Sequence, residues 1–137
     1  MTADPRESVR YRLERAREAL VEADAMAGIG HWNACANRLY YACFYAASAL
    51  LLKHGLAASK HTGVQALLNR HFVRPGLLPA DLGQFYNSLF EYRHEGDYTD
   101  FVRFERDQVH PWIAVARQFV DKVEMLISTQ GQETPDA

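Results

Sequence analysis

The sequence has few of the residues that make turns and covalent cross-links. It contains 8 Gly and 5 Pro in 137 residues, a smaller share than the roughly 12% of an average soluble chain. This deficit favours long regular elements joined by few turns. There are only two cysteines, Cys35 and Cys43, which excludes a disulfide framework. In one helix they would stand roughly 12 Å apart, too far to pair, so we expect two buried, reduced thiols.

The sequence also lacks a strong charge of either sign. Its net charge is −2 and its pI is about 6.3, which excludes a basic protein that coats DNA without specificity. The first ten residues are polar and contain no apolar signal segment, so we expect a cytoplasmic protein. The six histidines show no i,i+3 or i,i+4 pair and no CxxC companion. We therefore predict no metal site and no cofactor.

Apolar residues recur three and four positions apart along the first half of the chain, as is typical of amphipathic helices. The pattern predicts a first helix over 5–27, ended by Gly28 and Gly30. A second helix is predicted over 34–52 and is apolar almost all round. We reject a membrane span here because the segment holds Asn37, Arg38 and three tyrosines. We expect a central helix enclosed by other helices and a partner subunit.

Two further helices are predicted from start and stop signals. Thr62 and Gln65 have the spacing of a capping box, which predicts the start of a third helix that ends before Pro75. A fourth helix is predicted to begin near Pro79 and to end at Gly96.

The last predicted element repeats apolar residues from Val109 to Leu126. Pro111 must either start this helix or kink it, and we expect a short helical lead-in over 100–108. The chain is therefore predicted to be all-α, an up-and-down bundle of four to five helices. One domain would span 1–127, and a polar, flexible tail would follow over 128–137.

Two clusters have a plain structural interpretation. Five arginines of the first helix are interleaved with glutamates, and we interpret them as a solvated face rather than an RNA contact. The aromatic cluster of the second helix could stack on bases, but packing of a central helix explains it better. The cluster comprises Tyr40, Tyr41, Phe44 and Tyr45.

Arg93 is the most informative residue for function. It lies one turn beyond the apolar stripe of the fourth helix, roughly 20° around the axis from Leu82, and so points inward. A guanidinium buried without a partner costs several kcal/mol. Arg93 must therefore either pair with Asp97, one turn on, or face a cleft in which it binds an anion.

Three segments carry a family resemblance. They are Asn37-Arg38-Leu39-Tyr40-Tyr41-Ala42, Ser59-Lys60-His61 and Arg93-His94-Glu95-Gly96-Asp97-Tyr98. Their order and spacing resemble the small stand-alone HEPN-domain proteins of prokaryotes, over roughly residues 10–127.

The resemblance implies a HEPN-like helical bundle that forms a two-fold homodimer. Such proteins are often encoded beside a minimal nucleotidyltransferase as a toxin–antitoxin pair. Active members of the wider superfamily are metal-independent ribonucleases, so the implied ligand is RNA or a nucleotide. Their motif is an arginine, a polar neighbour, and a histidine after four to six intervening residues.

This sequence departs from that motif. Positions 98–100 hold Tyr98, Thr99 and Asp100 instead of a histidine. The remaining Arg-x-x-x-Asp-Tyr pattern resembles a branch in which this motif replaces the histidine form. Carried over residue by residue, the resemblance predicts catalytic residues Arg93, His94, Asp97 and Tyr98, with Asn37 and Arg38 binding substrate.

RNA cleavage through the 2′-hydroxyl needs a cation for the phosphorane charge, together with a base and an acid that titrate near the working pH. Arg93 suits the first task. A tyrosine hydroxyl ordinarily titrates near 10 and is a poor base, whereas His94 lies about 100° around the helix from Arg93. Two functions therefore stay open. One is a toxin–antitoxin or nucleotidyltransferase-linked protein acting as a metal-independent endoribonuclease, and the other is a non-catalytic module that binds a nucleotide or a partner protein.

Overall fold

The computed structural model describes the backbone over residues 4–132 and the side chains as far as Thr129. Within these residues the chain is all-α, as predicted, and forms an up-and-down bundle of five helices without a strand. The helices are α1 (Pro5–Gly28), α2 (Trp32–Lys53), α3 (His61–Leu68), α4 (Ala80–Tyr98) and α5 (Arg106–Gln132). A π-helical turn, Asn69–Val73, continues α3 and ends before Pro75.

The second helix is the centre of the bundle. It packs against the other four helices, and no residue over 32–52 is exposed. Cys35 and Cys43 are buried free thiols, as predicted, and burial raises the pKa of both. The central position of α2 is therefore confirmed, whereas its contact with a partner subunit stays a prediction. No helix in the described part of the chain is long and apolar enough to cross a membrane.

The first helix begins and ends as its sequence predicts. Asp4 caps it, because Oδ1 of Asp4 accepts a hydrogen bond from the backbone N–H of Arg6 at 3.0 Å. Pro5 occupies the first position, where a missing N–H costs nothing. Beyond the last turn, Gly30 has a φ of +78°, a conformation that glycine adopts without a steric cost.

The capping box predicted at the start of the third helix is wrong. The helix begins at His61, and the residue before it, Lys60, makes no capping bond through its side chain. Gln65 instead donates from Nε2 to Oδ1 of Asn87 on α4, at 2.9 Å. A partner on another helix therefore replaces the local bond that the spacing predicts.

Gly96 does not end the fourth helix, contrary to the prediction. The helix continues to Tyr98, and the ring of Phe104 packs against the bare backbone of Gly96. A Cβ atom on Gly96 would lie 2.9 Å from Cε2 of Phe104, so the glycine serves close packing rather than termination. The chain turns just afterwards, where Phe101 has a φ of +68°.

The predicted helical lead-in over 100–108 is also wrong for its first part. Residues 99–105 form a connection without helix, and α5 begins at Arg106 with Pro111 inside it. Asn33 on α2 satisfies the backbone of this connection. Its Nδ2 donates to the carbonyl of Val102 at 3.0 Å, and its Oδ1 accepts from the N–H of Phe104 at 2.7 Å. At the other end α5 continues to Gln132, past the predicted domain boundary at 127, and residues 133–137 of the predicted tail lie outside the described residues.

Candidate functional site

Arg93 is the one charged residue that lies buried in the part of the chain whose side chains are described, with a side chain 7% exposed. It projects from the last turns of α4 towards α2, as the apolar stripe predicts. The connection held by Asn33 and the close packing of Phe104 on Gly96 keep this end of α4 near the start of α2. The fold therefore fixes the position of a cation inside the protein.

Tyrosine rings surround the guanidinium. Its Cζ lies 4.8 Å from the ring centre of Tyr40, 5.6 Å from that of Tyr41 and 5.8 Å from that of Tyr98. The negative faces of aromatic rings attract a cation at such distances. Burial by itself lowers the pKa of Arg93, but Tyr41, Tyr40 and Asp97 together raise it above its ordinary value. The side chain therefore stays charged although it is buried.

The pairing of Arg93 with protein groups is incomplete. The nearest carboxylate oxygen, Oδ2 of Asp97, lies 3.6 Å from Nη1, an ion pair that is longer than a good hydrogen bond. The buried Nε has no hydrogen-bond partner. Since buried polar groups are nearly always paired, such an atom calls for an explanation. The predicted Arg93–Asp97 pair is thus present, yet it leaves donors free.

Asn37 connects the site to a surface cleft. Its Nδ2 donates to Oδ2 of Asp97 at 2.9 Å, while its Oδ1 accepts from Nε and Nη2 of Arg38 at 3.0 and 2.8 Å. Arg38 also pairs with Glu22 of α1 at 3.0 Å. Asn37, Arg38, Glu22 and Asp97 all line one cleft of about 470 Å³. The structure therefore brings both predicted substrate-binding residues next to Asp97.

Tyr98 and His94 form the outer edge of the site. Tyr98 is 68% exposed, although its ring lies near the guanidinium of Arg93. The exposed ring of His94 lies 4.9 Å from that of Tyr98. His94 thus reaches the site through Tyr98.

Two tyrosines and a histidine complete the site. All three stand in the segments that carry the family resemblance, but the sequence analysis did not assign them to the site. Tyr40 and Tyr41 were predicted only to pack in the core, but both face Arg93. Their spacing of three and four residues from Asn37 places all three on one face of α2, which is a signal that could have found them. His61 lies with its Nδ1 2.6 Å from Oη of Tyr40. No local signal indicates that contact, because 21 residues separate the two.

Among the residues that the structure describes, no group of three or more His, Cys, Asp or Glu side chains could hold a metal ion.

Known proteins resemble this chain over most of its length. A family model described as the HEPN domain matches residues 9–126. A UPF0332 protein of Thermotoga maritima is 46% identical over 119 residues, which cover 87% of this chain and 90% of that protein. A Methanocaldococcus jannaschii protein named "Putative toxin MJ0605" is 30% identical over 124 residues, covering 90% of this chain and 92% of that one.

The fold also resembles that of a solved structure. The crystal structure of TT1696 from Thermus thermophilus aligns with a TM-score of 0.73 and 22% sequence identity, over 85% of this chain and 96% of that one. At this identity the likeness concerns the fold alone. The match of the family model confirms the resemblance drawn from three short sequence segments, while the roles of the individual site residues stay predictions. On the match of its family model and the identity to these relatives, the chain belongs to the HEPN domain family.

Proposed function

We propose that this protein is a toxin-like HEPN protein that binds a phosphodiester of RNA at Arg93 and cleaves the RNA without a metal ion. It would act as a homodimer in a toxin–antitoxin or nucleotidyltransferase-linked system. The observation that carries this proposal is the buried guanidinium of Arg93 with its unpartnered Nε. The name of the Methanocaldococcus jannaschii relative, which is similar over most of both chains, supports a toxin-like role.

The chemistry of a guanidinium explains why phosphate is the preferred ligand. Arginine presents five N–H donors in a planar fork that matches two oxygens of a phosphate. A buried donor also stabilises developing charge more strongly than one in water does. Arg93 would therefore bind the phosphodiester and stabilise the extra negative charge of the phosphorane formed when the 2′-hydroxyl attacks.

The neighbouring residues suit a nucleic acid strand. Arg38 lies at the cleft beside Asp97, where its charge would attract an adjacent phosphate. The exposed ring of Tyr98 offers a face on which a base could stack. Asn37 holds both Arg38 and Asp97 in place through its amide, so we assign it a positioning role.

The test is cleavage of labelled RNA in buffer that contains a chelator. We expect the wild-type protein to cleave and Arg93→Ala to lose about 10²-fold or more of the rate, the usual effect of removing one donor to a developing oxyanion. The thermal melting temperature should change little. Arg117→Ala is the matched control, because it removes an exposed arginine of α5 that pairs with Asp24 of α1. This variant should cleave RNA at the wild-type rate. If Arg93→Ala fails to fold, the ion pair of Arg93 with Asp97 serves the structure and the proposal is wrong.

A non-catalytic binding module is the second candidate. Asp97 already provides one negative partner for Arg93, and positions 98–100 contain no histidine. Both observations favour a site that holds a nucleotide or a partner protein without reacting. The same assay separates the two functions when binding is measured alongside cleavage. Binding of RNA that depends on Arg93, with no cleavage either in chelator or in magnesium, would favour the module.

A further inference from the structure

His61 and Arg93 lie against the same pair of tyrosines. The ring centre of His61 is 5.7 Å from that of Tyr40 and 5.8 Å from that of Tyr41. These are the two α2 side chains whose rings also face the guanidinium of Arg93. Side chains from the start of α3 and from the end of α4 therefore pack against the same short stretch of α2, which places an imidazole in the same part of the molecule as the guanidinium.

The imidazole is held firmly in this position. Its ring stacks on that of Phe44 with centres 4.3 Å apart and planes 9° from parallel. Nδ1 lies 2.6 Å from Oη of Tyr40, whose side chain is fully buried. When the imidazole carries its proton on Nδ1 and donates to Tyr40, the lone pair of Nε2 is left to accept a proton. The contact with Tyr40 thus occupies Nδ1, and Nε2 is the ring nitrogen that remains for proton transfer.

The surroundings of His61 favour its neutral form, which is the form that a base requires. The titratable and charged groups that face it are Tyr40 and Tyr41 from α2 and Arg93 from α4. Burial and, to a lesser extent, the positive charge of Arg93 lower the pKa of His61 below its usual 6.5. The tyrosine hydroxyl beside it is itself a weak acid, because burial raises the pKa of Tyr40 to about 12.

We propose that His61 is a further catalytic residue, which accepts the proton of the attacking 2′-hydroxyl while Arg93 holds the phosphodiester. This inference rests on the proposed ribonuclease function and names the base that the predicted site lacks. His94 is the competing candidate, but it is exposed and contacts Tyr98 rather than the tyrosines under Arg93.

The step balances without a co-reactant other than water. The 2′-O–H bond breaks and its proton moves to Nε2 of His61, while the 2′-oxygen forms a bond to phosphorus. The bond from phosphorus to the 5′-oxygen breaks, and the departing oxygen takes a proton from water. His61 then gives its proton to the hydroxide that remains. The products are a 2′,3′-cyclic phosphate and a free 5′-hydroxyl.

The test compares His61→Ala, His94→Gln and Arg93→Ala in single-turnover cleavage of a labelled RNA across pH. We expect His61→Ala to lose about 10²-fold of the rate, within the usual range for a general base, and to retain RNA binding. The wild-type rate should rise with pH and level off once His61 is neutral, and His61→Ala should lose that rise. Added imidazole should restore part of its activity, which a merely structural role does not predict.

His54→Gln is the matched control for folding. His54 also bonds through Nδ1, to the carbonyl of Leu50 at 3.0 Å, and packs against Phe72, but at the other end of α2. It should cleave at the wild-type rate. If wild type cleaves while His61→Ala keeps both its rate and its pH profile, or gains nothing from imidazole, the assignment of His61 is wrong and the proposed function stands. If the wild-type protein does not cleave RNA at all, the proposed ribonuclease function itself is wrong. The wild-type measurement alone decides this question.

Discussion

Arginines in two regions of this molecule are paired very differently. Along the seam where α1 meets α5, Arg17 pairs with Asp121 and Glu124, and Arg117 pairs with Asp24. We call this set the α1–α5 seam. Its two arginine side chains are 43% and 50% exposed. At the candidate site, Arg93 is 7% exposed, with one distant carboxylate and an unpartnered Nε.

The difference shows which arginine is costly to keep. In the seam, water screens each charge, so that neither forming nor losing a pair changes stability much. Inside the protein, a guanidinium loses its hydration. Only an ion pair and hydrogen bonds of excellent geometry offset the free energy of that loss. Tyrosine faces and one carboxylate at 3.6 Å offset it in part. A buried charge that the protein pairs so incompletely is more easily explained by function than by folding.

The largest expected effect on stability comes from removing the buried charge of Arg93 together with that of its partner Asp97. We expect the double variant Arg93→Met, Asp97→Asn to be about 1–2 kcal/mol more stable to urea than wild type, because methionine fills the space without needing hydration. RNA cleavage should be lost at the same time. Equilibrium urea unfolding measures the first effect, and the chelator assay measures the second.

The seam provides the control for that experiment. Replacing Arg17 by Met and Asp121 by Asn should give no such gain, because these charges are already hydrated. A loss of more than about 2 kcal/mol in the Arg93 double variant would instead mean that the ion pair of Arg93 with Asp97 holds the end of α4. The contrast between the two regions would then disappear.

The helices and the inward direction of Arg93 were predictable because both depend on local periodicity. The apolar stripe of α4 determines which way residue 93 points whatever lies opposite. Errors arose where a distant partner decides the structure. Gln65 bonds to Asn87 rather than capping its own helix, and Gly96 accommodates the ring of Phe104. Neither partner is visible in a short window of sequence.

The candidate site was predictable from the spacing of residues on α4 and, through the family resemblance, from Asn37 and Arg38 on α2. Arg93, Asp97 and Tyr98 lie within two turns of one helix, so spacing alone groups them. The contact of His61 with Tyr40 depends on how α3 docks on α2, which periodicity does not reveal. The arginines of α1 teach the same lesson. They were interpreted as a solvated face, yet Arg12 and Arg15 reach Ser48 and Tyr45 of α2.

A smaller effect is expected from Asp97 alone. Asp97→Asn keeps an oxygen to accept from Asn37 but removes the negative charge beside Arg93. An anion should then bind about fivefold more tightly, the equivalent of about 1 kcal/mol. Titration with inorganic phosphate at low salt, followed by NMR, measures the change. Asp121→Asn in the seam is the control and should leave phosphate affinity unchanged. Weaker binding by Asp97→Asn would show that Asp97 orients Arg93 rather than competing with the ligand.

The smallest effect is expected in the seam itself. A double-mutant cycle on Arg17→Ala and Asp121→Asn should give a coupling energy below about 1 kcal/mol, because both side chains are largely hydrated and ordering them costs conformational entropy. Urea unfolding at low and high salt measures it, and the coupling should shrink as salt screens the charges. A coupling energy that is large and insensitive to salt would show that the exposed pair in the α1–α5 seam is strongly held. Arg93 would then no longer differ from the seam arginines in how much its charge matters to stability.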